Sequence, residues 1–96
     1  MTTTIESARF LCIQAARMID MGLKADKEAA MSKLVATEGA FKVISDATQI
    51  MGGIGYTTDY PIERHFRDAR NGPFVGGSSE MMRLIIQREA YKKMLA

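Results

Sequence analysis

Two glycine-rich breaks, GGIG at Gly52–Gly55 and GPFVGG at Gly72–Gly77, limit what these 96 residues can build. Each separates stretches of helical apolar spacing, so the chain is neither one rod nor a run of uniform hairpins. The segment QIMGGIGYTTDYPIERHFRDAR, Gln49 to Arg70, leads from the end of a long helical pattern, through the first break, into a short charged helix. Glycine places no side chain between the backbone and whatever approaches it. Two such breaks in a small helical chain point to an edge that meets a ligand or a partner.

Four helices follow from the pattern between the breaks. Thr3 and Glu6 have capping-box spacing, and Ile5, Ala8, Phe10, Leu11, Ala15, Met18 and Ile19 carry a broad apolar face up to a stop at Gly22. Asp26 is the expected cap of a second, long helix reaching about Ile50. Its inner positions include Ala30, Leu34, Phe41, Val43, Ile44, Ala47 and Met51, with Lys27, Lys33, Glu38 and Lys42 on an exposed or partner-facing side. Pro61 suits the first turn of a short third helix, where its missing N–H leaves no bond unmade. Ile62, Phe66 and Ala69 point inward there, and Gly72 and Pro73 end it. Ser78 or Ser79 caps a last helix through about Met94, with Glu80 near its favourable N-terminal dipole. No strand pattern competes; FVGG is too short and isolated to define a sheet. The expected fold is all-α, a partial four-helix up-and-down bundle whose hairpins are joined by a structured elbow. Its broad apolar faces call for more chain or another subunit.

Composition narrows the function classes. A net charge of +2 with dispersed charged residues forces neither nucleic-acid nor membrane binding, and no apolar run reaches membrane-spanning length. The single Cys12 lies in an apolar run, reads as a small core residue and excludes an internal disulfide framework. With no secretory signal pattern in MTTTIESARF, the expected compartment is the cytoplasm. The eight methionines fit irregular helix packing or an adaptable binding face.

No enzyme can be read from composition alone. His65 has no second histidine or cysteine at metal-ligand spacing. It is either a structural or surface residue or a lone general base. Ser78 and Ser79 have no hydrolase elbow around them and read as helix caps. GGIG follows a helix rather than a strand, so it is not a dinucleotide fingerprint; it is a turn or a ligand cradle. The charges of IERHFRDAR form a solvated ion-pair face or anchor the elbow to the bundle or to another subunit.

From Lys27 to about Arg88, the blocks KEAAMSKLVATEGAFKVISDATQIMGGIGYTTDYPIERHFRDAR and GGSSEMMRLIIQRE resemble, in order, the C-terminal helical domain of the acyl-CoA dehydrogenases. Thr4 to Gly22 resembles the preceding helix from partway along its usual extent. The resemblance implies one domain over residues 1–96, shortened on its N-terminal side. It also implies an FAD enzyme that oxidises an acyl-CoA thioester to its trans-2-enoyl product, with electron-transfer flavoprotein as the onward electron acceptor. A carboxylate removes the proton beside the carbonyl, and the flavin accepts hydride. The partners implied are the acyl-CoA substrate and further copies of the chain, or a complementary dehydrogenase chain, around an intersubunit flavin site.

Residue by residue, the resemblance gives Gln49 a hold on the FAD diphosphate or adenosine portion contributed by another subunit. It gives Gly52 and Gly53 close backbone approach, and Ser78 and Glu80 contacts to FAD. Glu80 needs a donor as its partner, because it repels a phosphate oxygen. Arg67 and Arg70, in the RDAR block, pair with carboxylates or touch the cofactor. Gly76 stands where many relatives carry the catalytic glutamate, and glycine has no proton-accepting side chain. The isovaleryl and long-chain branches have a small residue there and take their glutamate from an earlier helix. The Gly76 N–H can still polarise a thioester carbonyl. No catalytic side chain is therefore expected here, and the isolated chain is expected to be inactive. The competing readings are a noncatalytic helical scaffold and an acyl-CoA- or lipid-binding module. If soluble alone, the chain is expected to dimerise.

Overall fold

The computed structural model describes residues 1–96. It contains α1 (Thr2–Asp20), α2 (Asp26–Met51), α3 (Ile62–Asn71) and α4 (Ser79–Leu95), with a 3-10 turn over Gly52–Tyr56. There is no strand, as the sequence implies. α2 is the spine. α1, α3, α4 and the 3-10 turn all pack on it, while α4 touches neither α1 nor α3. The arrangement is a bundle with unfilled positions, matching the expected partial four-helix class.

Local chemistry explains most of the helix ends. α1 stops where the Leu23 N–H donates to Met18 O at 2.9 Å and the Gly22 N–H to Ile19 O at 3.0 Å, the paired bonds of a glycine-closed terminus. Pro61 lies at the N-cap of α3, and the Ser78 hydroxyl caps α4 by accepting from the Met81 N–H at 3.2 Å. Two expected caps do not form. α1 has no side-chain cap, and Ser7 Oγ donates back to Thr3 O at 2.7 Å. Asp26 is already helical, with Ala25 at the N-cap of α2. Carboxylates in a first turn are favoured by the helix dipole, so Asp26 suits that position without capping.

The interior is built from small residues. Ala15, Ala25, Ala30, Gly55 and Ser79 are the buried positions, and no large side chain is fully enclosed. Met82, Ile85, Ile86 and Glu89 face inward from α4 and are half-buried. Cys12 is exposed rather than in the core, because the buried stripe of α1 runs through Ala8, Leu11, Ala15 and Met18 on another side of the helix. At the elbow, Phe66 of α3 meets Phe41 of α2 with ring centroids 5.2 Å apart, tilted by 54°. Gly55 has a packing reason: a Cβ there would sit 2.9 Å from Met51 Cβ.

The radius of gyration is 16.0 Å, against about 12.5 Å for a compact chain of this length. The accessible surface is 6792 Å², about 1,300 Å² more than a compact protein of 10.6 kDa exposes. That excess is apolar in large part, with Phe10, Ile19 and Met21 around α1 and Leu84, Tyr91 and Met94 on α4 among the exposed side chains. No helix is long and apolar enough to cross a membrane.

Ion pairs tie α4 to the rest. Arg83 reaches Glu38 of α2 at 3.0 Å, and Glu89 receives Lys24 and Lys92, each at 3.3 Å. Desolvation pushes the Glu89 carboxyl up, but hydrogen bonds and charge from Lys24 and Lys92 outweigh it and hold the group below its ordinary 4.5. A depressed carboxyl contributes stability above its unfolded value and loses it as pH falls through the folded one. Glu89→Gln should therefore lower the melting temperature slightly at pH 7, and the difference from wild type should start to shrink near pH 4.5 and disappear only once the pH is below the lowered folded value. Thermal melts of both proteins across that range check this. Gly55→Ala should destabilise the elbow by about 1–3 kcal/mol, since the Met51 Cβ is fixed to backbone and cannot swing aside. Denaturant unfolding of the two proteins measures the difference.

Candidate functional site

The largest concavity is an open groove of about 720 Å³ where α2 ends. Ser45, Thr48 and Gln49 line it from α2, Gly52, Gly53, Gly55 and Tyr56 from the 3-10 turn, and Glu63 and Phe66 from α3. Three sequence-derived cofactor candidates, Gln49, Gly52 and Gly53, are brought together here. Their local structure follows from the helix end. The Gly52 N–H still donates to Gln49 O and Thr48 O, and its φ of +72° then turns the chain out of α2. Gly53 is different. Its φ is not positive, and a Cβ there would meet nothing within 4 Å. Nothing inside the chain requires glycine at 53, so the groove has space that a side chain would fill.

The donors of this groove are uncharged: the exposed Gln49 amide, the Ser45 and Thr48 hydroxyls, and glycine backbone. The Thr48 hydroxyl is occupied, donating to Ile44 O at 2.9 Å. Glu63 adds a carboxylate on the α3 side, 3.8 Å from the Arg67 guanidinium, which offsets its charge. Neutral donors around glycine backbone suit a polar, uncharged edge such as an adenine better than an acyl chain, while the C-terminal end of α2 and the Glu63 carboxylate do not favour a bare anion.

The second break forms a separate element. It is a series of turns over residues 72–77 with no extended strand. Its ends are joined by the Ser79 N–H, which donates to Pro73 O at 2.8 Å. Gly76 takes φ +66°, a conformation that favours glycine whatever the catalytic history of the position. Ser78 is at the N-cap and Glu80 is exposed in the first turn of α4. Ser78, not Ser79, supplies the capping oxygen; Ser79 is buried, and its Oγ has no protein partner. The N–H groups of Gly76, Gly77, Ser78 and Glu80 donate to no backbone acceptor.

Lys33, expected on an exposed or partner-facing side, is part-buried against this chain's own second loop, and its ammonium donates to Gly72 O at 2.8 Å and to Gly77 O at 2.6 Å. The helical period alone placed it near the surface, and only the folded loop supplies the two carbonyls that let its charge be covered. Its position also locates the second loop beside the first half of α2, whereas the groove lies along the last turns of α2, from Ser45 onward. At the α-helical rise, the step from Lys33 to Gly52 is about 28 Å. The cofactor candidates thus form two clusters, Gln49, Gly52 and Gly53 in one and Ser78 and Glu80 in the other.

The RDAR block divides as well. Arg67 makes the ion pair with Glu63. Arg70 has no carboxylate partner and instead lies 5.7 Å from the ring centroids of both Phe41 and Phe74, a cation–π contact on two sides. The block therefore anchors the elbow more than it forms a solvated ion-pair face. Arg64, His65 and Asp68 are exposed.

The known family of the acyl-CoA dehydrogenase C-terminal domain matches residues 1–91. Among curated relatives, the cyclohexane-1-carbonyl-CoA dehydrogenase of Geobacter metallireducens is 44% identical over 91 residues, which is 95% of this chain and 24% of that protein. The mitochondrial short-chain specific acyl-CoA dehydrogenase of Homo sapiens is 48% identical over 86 residues, 90% of this chain and 21% of that one. Among solved structures, butyryl-CoA dehydrogenase from Megasphaera elsdenii superposes with a TM-score of 0.92 at 35% identity, covering 95% of this chain and 24% of that one. The chain spans about a quarter of the length of these proteins. On this agreement of sequence and fold, the chain belongs to the acyl-CoA dehydrogenase family, whose C-terminal domain it matches.

Proposed function

We propose that this chain is the C-terminal part of an FAD-dependent enzyme that carries out α,β-dehydrogenation of an acyl-CoA thioester. The observation that carries the reading is the separation of two glycine-built clusters along α2. They are too far apart to grip the same end of one cofactor from one copy. Two copies, each lending a different cluster, can enclose a flavin between them. In that arrangement Gln49 and the backbone at Gly52 and Gly53 hold the diphosphate or adenosine portion, while the Ser78 region of a second copy meets the remainder. The Glu80 contact is made best through its N–H, since its carboxylate repels phosphate.

The bound flavin would supply the hydride acceptor. This chain's residues bind and orient it, and the Gly76 N–H is a candidate donor to the thioester carbonyl. No side chain at position 76 can take the substrate proton, so the base comes from elsewhere in the assembly. Electron-transfer flavoprotein is the proposed acceptor, and the reducing cytoplasm suits the free thiol of Cys12. The relatives named above are dehydrogenases of cyclohexane-1-carbonyl-CoA, short-chain acyl-CoA and butyryl-CoA, so the shared segment singles out no one acyl group. A lipid-binding module fits less well, because the main groove is open and its lining is largely polar or glycine.

The native assembly should show oxidised-flavin absorbance that bleaches on addition of an acyl-CoA, whereas the 96-residue chain alone should reduce no acceptor. Steady acceptor reduction by the isolated chain, or a native assembly without flavin, would contradict the proposal. Gln49→Ala should weaken FAD binding roughly ten- to a hundredfold, the range expected on losing a hydrogen bond to a charged group. Flavin titration of the apo-assembly measures it.

A further inference from the structure

We infer that Lys33 is the positioning residue of the second glycine loop. The role rests on the flavin reading above but is assigned from different observations. The loop contains Gly72, Gly76 and Gly77, and glycine-rich backbone loses much conformational freedom when it is held in one state. A single ammonium gathers its two ends, with Gly72 O at 2.8 Å and Gly77 O at 2.6 Å. Both are charge-assisted bonds at a part-buried site, where each carbonyl would otherwise lack a donor.

Peptide geometry carries the consequence to the other side of the loop. No peptide bond is cis, so the N–H of Ser78 points opposite to the Gly77 carbonyl that Lys33 holds. Drawing that carbonyl onto α2 turns the Ser78 N–H outward, near the free Glu80 N–H in the first turn of α4. The cation stands behind the loop and never meets the ligand. It fixes which face of the peptide the ligand meets. A hydrophobic residue of the same length can fill the space but cannot collect the carbonyls.

The test uses the native assembly in apo and FAD-loaded forms, with Lys33→Met as the first variant and Lys33→Ala as the second. Amide hydrogen exchange at Ser79 and Met81, whose N–H groups donate to Pro73 O and to Ser78 Oγ, is read on the apo form, and FAD affinity by titration. Lys33→Met should keep its helical circular dichroism, speed exchange at those amides about tenfold or more, and weaken FAD about tenfold; each corresponds to about 1.4 kcal/mol. Added n-propylammonium should restore both readouts in Lys33→Ala and leave wild type unchanged, while tetramethylammonium, which has no N–H to donate, should restore neither. Wild-type exchange rates in Lys33→Met would overturn the inference. If that variant fails to fold, the alkylammonium arm decides, and lack of rescue overturns it. An apo wild type that takes up no FAD defeats the functional reading instead, and the exchange readout still judges Lys33 on its own.

Discussion

Everything in this molecule depends on α2 as a common surface. Each other element packs on it, and α4 meets neither α1 nor α3, so the helices lack the mutual cover of a closed bundle. Small buried residues allow close approach, but they enclose little apolar area. The outer faces of α1 and α4 stay apolar and exposed as a result. The same spine separates the groove at its C-terminal end from the loop that Lys33 pins.

Each glycine break combines an internal role with an outward one. Gly52 closes α2 through its backbone conformation and Gly55 lets the elbow pack, while Gly53 satisfies neither need and faces open space. In the second break, Gly76 is left-handed, so the absence of a carboxylate there has a conformational reason beside any catalytic one. Under the proposed function, proton abstraction and flavin binding then fall to different parts of the assembly.

Much of the fold was legible in the sequence because it rests on local chemistry. Gly22, Gly52 and Ser78 end or begin helices by backbone or capping bonds, and apolar spacing marked all four helices. The Thr3–Glu6 box and the Asp26 cap failed, since suitable residue types fix no cap without the matching backbone turn. Cys12 failed because an apolar run winds around a helix and only one stripe of it meets α2. The candidate site was half legible. Gln49, Gly52 and Gly53 are close in sequence and meet in one groove, but the distance to Ser78 and Glu80 follows only from the tertiary path. Lys33 and Arg70 eluded sequence reading for the same reason, as their partners are carbonyls and rings brought in by folding.

The most direct test is a crystal structure of the FAD-loaded native assembly. The account predicts one flavin lying between two copies, with Gln49 and Gly53 of one copy and the Ser78 and Glu80 N–H groups of the other within contact distance. A flavin held by both clusters of a single copy, or one that touches neither, would contradict it.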